Sequence, residues 1–297
     1  MLLVGRARDI VTPRSADPPI ICREDAFEAA LRPDRTIVAI EATPARPALS
    51  RLVGERGGGG LRQVLEKVVP EQRRDATPLY LILDDISGTS LVAGWAWSQW
   101  DPDWLPNARA ALKGFDLEKA FRSRTGICSG FAPGSSGLEP GTDRSGTPAP
   151  DLRSREDPEG WHAFPVTDGV SMRRARRIDV WLDNVIVVDS AFQDSATTPA
   201  GGRAVVHEYR LNLTADPTSL QVLSIRAEPR VLPFVECTMA PANLNRLIGA
   251  PLPELRDRVL AELRGTAGCT HLNDALRALA EVPALVDRSR KPGRLNS

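Results

Sequence analysis

The sequence predicts an α+β chain whose C-terminal half is an antiparallel meander followed by helices on one face of the sheet. Two observations carry this. Between residues 169 and 232, apolar and polar residues alternate in short runs separated by tight turns, the period of half-buried strands. After Pro233 the spacing of leucines changes to three and four, the period of helices. Strands followed by helices imply segregated layers rather than alternating βα units.

The meander has four members. Ile178, Val180 and Leu182 alternate with polar residues, Asp183-Asn184 turns the chain, and Val185 to Phe192 returns. Val205, His207, Tyr209, Leu211 and Leu213 share the face of a third strand. Asp216-Pro-Thr-Ser leads into a fourth, Leu220 to Ala227. Three helices are expected next. Leu244, Leu247 and Ile248 are closed by Gly249, and Leu252 to Leu263 by Gly265, since glycine tolerates the left-handed residue that ends helices. Leu272, Leu276 and Leu279 form the third, ending before Pro283.

The N-terminal part, 1–125, reads as a mixed α/β region. Thr36-Ile-Val-Ala-Ile suggests a buried strand and Leu61 to Val69 a short helix after Gly57 to Gly60. Leu79 to Leu83 and Ser90 to Trp97 suggest a hairpin turned by Asp84-Asp85, and Ala108 to Phe121 a further helix. Residues 126–168 are rich in Gly, Pro and Ser and read as a linker or long loop, because such a stretch buries little apolar surface. The C-terminal domain is then 169–287, with a tail at 288–297.

Composition narrows the function. Of 297 residues, 38 are Lys or Arg and 38 are Asp or Glu. Zero formal charge argues against a protein that coats nucleic acid or an anionic membrane. No apolar run is long enough to cross a bilayer, and the first residues do not make a signal peptide, so a cytoplasmic location is expected. The four cysteines are too few for a secreted disulfide scaffold.

Cys237-Thr238 and Cys269-Thr270 each stand just before an expected helix, with Thr as a plausible N-cap. Amide N–H groups there favour the thiolate, the form that binds metal. His207 points to the face the helices should cover, and His271 follows Cys269 by two residues. His207, Cys237, Cys269 and His271 are therefore the expected metal ligands. Against this, free Cys is often a small buried hydrophobe, and no C-x-x-C knuckle is present.

Other features favour ordinary roles. Arg173, Arg174, Arg176 and Arg177 read as a solvated strand edge paired with acids such as Asp179 and Asp183. Asp84-Asp85 reads as a turn rather than an acid–base pair. Gly57 to Gly60 lacks a P-loop Lys-Ser/Thr. Trp95 and Trp97 would share a strand face, as an interface or as core. Cys128 sits on a loop with nothing basic beside it.

The run Arg173-Arg-Ala-Arg-Arg-Ile-Asp, then Val188-Asp189, His207, Pro233, Cys237, Leu247-Ile-Gly and Gly268-Cys-Thr-His-Leu resembles a bacterial family of uncharacterised proteins, domain-of-unknown-function family 2889. The likeness covers about 173–285 and implies no activity. The order of strands, cysteines and helices also resembles the NifU-like iron–sulfur scaffold fold. In that likeness His207, Cys237 and Cys269 stand at the three ligand positions, with Glu208 near the first. It implies zinc, iron or an iron–sulfur cluster. Having His at the first position weakens cluster assembly more than metal binding.

Three functions follow as expectations. One is a metal or cluster accessory or carrier protein serving a metal-dependent enzyme. Another is a metalloenzyme with zinc or iron as Lewis acid and Glu208, Glu236 or Asp274 as base. The last is a metal-free interaction module. No nucleophile–base pair and no cofactor fingerprint is visible in the sequence.

Overall fold

The computed structural model describes residues 1–13, 17–101, 103–104, 123–139, 147–153, 160–162 and 167–291. It is a mixed α+β structure with two antiparallel sheets. The chain forms two compact units. One comprises 1–91, 153–164 and 281–297, and the other 92–152 and 165–280. The expected helix at 108–121 lies outside the described residues.

In the first unit, β1 (Leu2–Val11), β2 (Ile20–Leu31) and β3 (Ile37–Thr43) pair in chain order. The helices α1 (Leu61–Val68), α2 (Pro70–Arg74) and α3 (Pro78–Asp84) follow. Phe27, Leu31, Ile37, Leu49, Leu65, Leu79 and Leu83 share its buried core.

The hairpin expected at 79–97 does not exist. Leu79 to Leu83 lies in α3, and Ile86–Ser98 is a helix, α4. A five-residue apolar run fits either structure. The local chemistry decides, because Thr77 accepts a hydrogen bond from Tyr80 N at 3.1 Å and Pro78 opens the helix. Of Asp84-Asp85, only Asp85 makes the turn, between the two helices. Asp84 is helical and pairs with Arg62 Nε at 2.9 Å. Trp95 and Trp97, two apart on a helix, do not share a face.

The second unit carries β4 (Thr147–Pro148), β5 (Met172–Leu182), β6 (Ile186–Thr197), β7 (Arg203–Ala215) and β8 (Val222–Val231). The expected meander is present: β5 pairs β6, β6 pairs β7 and β7 pairs β8, all antiparallel. β4, from the Gly/Pro/Ser-rich stretch, adds two residues to β7. A bulge lies in β7, where Ser195 opposes Val205 and Asp194 opposes His207, leaving Val206 extra. One face of the sheet buries His207, Tyr209, Leu211 and Leu213, and the other exposes Arg210 and Asn212.

The helices differ in detail from expectation. Val235–Leu247 winds as consecutive 3₁₀ turns. Pro241 inside it has no N–H for an i→i−4 bond, which disfavours an α-helix. Gly249 still ends it, at φ +82°. α5 (Leu255–Glu262) and α6 (Thr270–Arg277) follow. Pro283 does not close the region. It sits in the first turn of a further helix, α7 (Val282–Arg290), a favoured place for proline. Residues 288–290 are thus helix rather than tail, and α7 belongs to the first unit.

Candidate metal centre

The residues of interest lie on the buried face of β5–β6–β7 and at the starts of the segments after β8. β7 supplies His207 and, two residues on, Tyr209. Cross-strand register places Asp194 opposite His207 and Arg174 opposite Asp194. The three therefore form one row across the sheet, with side chains on a common face.

Cys269 is itself the N-cap of α6, and Thr270 is the first helical residue rather than the cap. The cap of the 3₁₀ segment is Phe234 rather than Thr238, whose hydroxyl donates to Val235 O at 2.7 Å. Cys237 thus sits in the first turn of that segment, buried.

The two histidines meet face to face. Their ring centroids are 3.3 Å apart and the planes differ by 17°. Asp194 Oδ2 lies 3.5 Å from His207 Nδ1 and 3.9 Å from His271 Nε2. The first contact is too poorly aligned for a full hydrogen bond, and His207 Nδ1 is buried without one. Among the described residues, Asp194, His207 and His271 have ligand atoms within 4.8 Å of one another.

Asp194 is fully buried and is held from behind. Arg174 Nε and Nη2 donate to its two oxygens, each at 2.9 Å, and Arg174 Nη1 donates to Asp274 at 2.8 Å. Burial alone would raise the Asp194 pKa, but the Arg174 guanidinium outweighs it and holds the carboxyl below the usual range. Arg174 also lies over the Phe192 ring at 4.8 Å. It is therefore not a solvated edge residue. Arg177 does pair with Asp179, at 3.0 Å.

The thiols act on this group electrostatically. Cys269 is driven well below the usual thiol value, first by a hydrogen bond from Cys237 and then by His271 and His207, against its own burial. Cys237 is driven up, first because its proton is engaged with Cys269. Burial pushes Cys128 up to about 11, with Cys269 adding to the rise. Burial, first, and His271 bring His207 down to about 4, so its imidazole is neutral at pH 7. The Tyr209 hydroxyl lies against Cys269 but is buried without a well-formed hydrogen bond.

Cys237, His271 and His207 all act electrostatically on Cys269, but among the described residues the ligand atoms gathered within 4.8 Å of one another are those of Asp194, His207 and His271, without either thiol. Glu208 does not join them. Adjacent to His207 on a strand, it faces the opposite side and accepts from Gln193 Nε2 at 2.8 Å. The other two expected bases are engaged as well. Glu236 accepts from Ser136 N and Oγ at 3.0 and 2.7 Å, and Asp274 is bound by Arg174. Cys22 and His162 belong to the first unit.

Sequence reasoning missed Asp194, Arg174 and Tyr209. The alternation of β7 marks Tyr209 with His207. Asp194 and Arg174 needed the strand register, which the Val206 bulge alters.

Comparison with curated proteins and with solved structures gives no match. Neither comparison supports the NifU-like likeness. A family model does match, over residues 172–285, which is less than half of the chain but includes every member of the cluster apart from Cys128. Residues 172–285 match the model of the family described as protein of unknown function (DUF2889).

Proposed function

We propose that this domain holds a zinc or iron ion on His207, His271, Cys237 and Cys269, as an accessory or carrier protein for a metal-dependent system. The observation that carries the reading is the stacking of two imidazoles beside Asp194, with Cys269, itself engaged with Cys237, within electrostatic reach of both rings. His207 Nδ1 and the Tyr209 hydroxyl are both buried there without aligned partners, an expensive arrangement unless something else engages the site. Neutral imidazole and thiolate are the forms that ligate, and this donor set suits zinc or ferrous iron. When bound, the ion would supply positive charge to hold the thiolates in their ionised form.

Asp194 is assigned a supporting role although it lies within reach. Both of its oxygens already accept from Arg174, so a cation on the same carboxylate would face a guanidinium. A carboxylate behind a ligating imidazole orients the ring instead. The burial of Cys237, Cys269 and His207 and the engagement of Glu236 and Asp274 favour holding an ion over catalysis at an open position. A two-iron cluster with mixed Cys and His ligation uses the same donor types.

Elemental analysis and absorption spectra of protein purified without oxygen test the reading. Wild type should carry near-stoichiometric metal, with visible charge-transfer bands if it is iron or a cluster. Cys269→Ala should lose the metal, while Asp194→Asn should weaken binding about 10- to 100-fold. Metal-free wild type after reconstitution would overturn the proposal. Full retention in Cys269→Ala with loss in Asp194→Asn would move the site onto Asp194, His207 and His271.

A further inference from the structure

We propose that Arg173 and Arg203, on the sheet face opposite the His/Cys cluster, form a binding site for a phosphate group. Strand alternation puts Arg173 on the opposite face from Arg174, and register sets it against Ser195 of β6. Arg203 reaches the same serine from β7. Its Nε donates to Ser195 Oγ at 3.0 Å and its Nη2 to Ser195 O at 2.6 Å. Its Nη1 donates to Ser171 Oγ at 3.2 Å, two residues before Arg173. Arg203 thus holds Ser195 from one flanking strand, Arg173 stands opposite it on the other, and the two cations lie close enough for the charge of Arg173 to act on Arg203.

Neither cation has a carboxylate partner in an ion pair among the described residues. Arg203 is satisfied only by hydroxyls and a carbonyl, and Arg173 Nε is buried with no hydrogen bond. Burial, first, and the charge of Arg173 bring Arg203 down to about 10. Burial also lowers Arg173, and the acid that acts on it is Asp151. Two like charges half withdrawn from water are unfavourable alone. They become favourable when an oxyanion accepts from both. Guanidinium forks match phosphate oxygens two at a time, and the hydroxyls of Ser171 and Ser195 add donors beside them. A dianion suits two cations better than a single carboxylate does.

Among the described residues Arg173 Nε has no hydrogen-bond partner, so removing its charge should not cost the fold a partner there. This separates binding from structure. Isothermal titration of the whole protein with inorganic phosphate, against sodium chloride at matched ionic strength, is the test, with melting temperatures alongside. Wild type should bind phosphate and be stabilised by it beyond the chloride control. Arg173→Met should bind at least tenfold more weakly, with a melting temperature without phosphate that is equal to or above wild type. Arg203→Lys should also bind more weakly. Phenyl phosphate binding as tightly as inorganic phosphate would identify the ligand as the phosphomonoester end of a larger molecule. No binding beyond the chloride effect, or equal affinity in Arg173→Met, would overturn the proposal. None of these readouts depends on metal at the other face.

Discussion

Arg174 is the residue on which the His/Cys cluster leans most. Its guanidinium engages both oxygens of Asp194 and one of Asp274, and its side chain is almost wholly buried. A buried pair of this kind contributes less by existing than it costs when broken, because the remaining charge has no partner. Arg174→Met should destabilise the protein by about 3–5 kcal/mol in urea unfolding. Arg174→Met combined with Asp194→Leu should recover much of that loss. If the double variant is no more stable than the single one, the cost does not come from stranding Asp194.

Gly130 makes a second argument at the same scale. A Cβ built on it would stand 2.7 Å from Cys237 Sγ and 3.9 Å from Cys128 Sγ. The glycine lets the 3₁₀ turn Ser129–Phe131 lie directly against the thiols. Gly130→Ala should cost about 1–3 kcal/mol through overpacking. It should also reduce metal content, because the atom displaced is a proposed ligand. Unchanged metal content in a destabilised Gly130→Ala would separate the turn from the site.

At the scale of elements, the ends of segments matter more than their middles. α6 begins at Cys269, whose carbonyl accepts from Asn273 N at 2.8 Å. The helix start therefore fixes Cys269 and sets His271 in its first turn. The 3₁₀ segment places Cys237 in its own first turn. Sequence already marked both cysteines as helix-start residues, because an amphipathic leucine pattern followed each. It marked the wrong caps, since Thr after Cys has the right chemistry at either place. Which residue leaves helical φ/ψ is decided by the packing around it. The helix pair at 78–98 teaches the same lesson from the other side. Five consecutive apolar residues carry no period, and Thr77-Pro78 was the local signal that selected a helix.

The whole molecule uses its chain discontinuously. α7, from the C-terminal end, belongs to the unit built on β1 to β3. Arg288 of α7 donates to the carbonyls of Asp75 and Ala76 and pairs with Asp9 at 2.6 Å. Deleting 281–297 should therefore expose β1 to amide hydrogen exchange while leaving β6 and β7 protected. Equal protection of β1 in the truncated chain would show that α7 adds nothing to that unit.

Asp9 also gives the protein a pH signature. Burial raises its pKa from 3.8 to about 6, against the opposing pull of Arg288. A raised carboxyl binds more protons folded than unfolded between those two values. Its contribution to stability therefore falls as pH rises from about 4 to about 6, and is level above that. The difference in unfolding free energy between wild type and Asp9→Asn, followed through that window, should change with this sign. A difference independent of pH would show that Asp9 titrates as an ordinary carboxyl.

The sequence by itself determined the antiparallel meander, the leucine-patterned segments after it, and the inward side of His207. Each of these is written in a local period of two or of three to four residues, and short-range sterics enforce it. It also held the motifs of the family over 172–285. Only the tertiary structure decided that Asp194 and Arg174 stand in a row with His207, and that Glu208 faces away. Only it stacked His271 on His207, and only it set Arg173 and Arg203 on the other face without an ion-paired carboxylate among the described residues. These depend on strand register, shifted by one residue at the Val206 bulge. Register is a long-range choice made by the summed packing of whole faces, so no single stretch of the chain carries it.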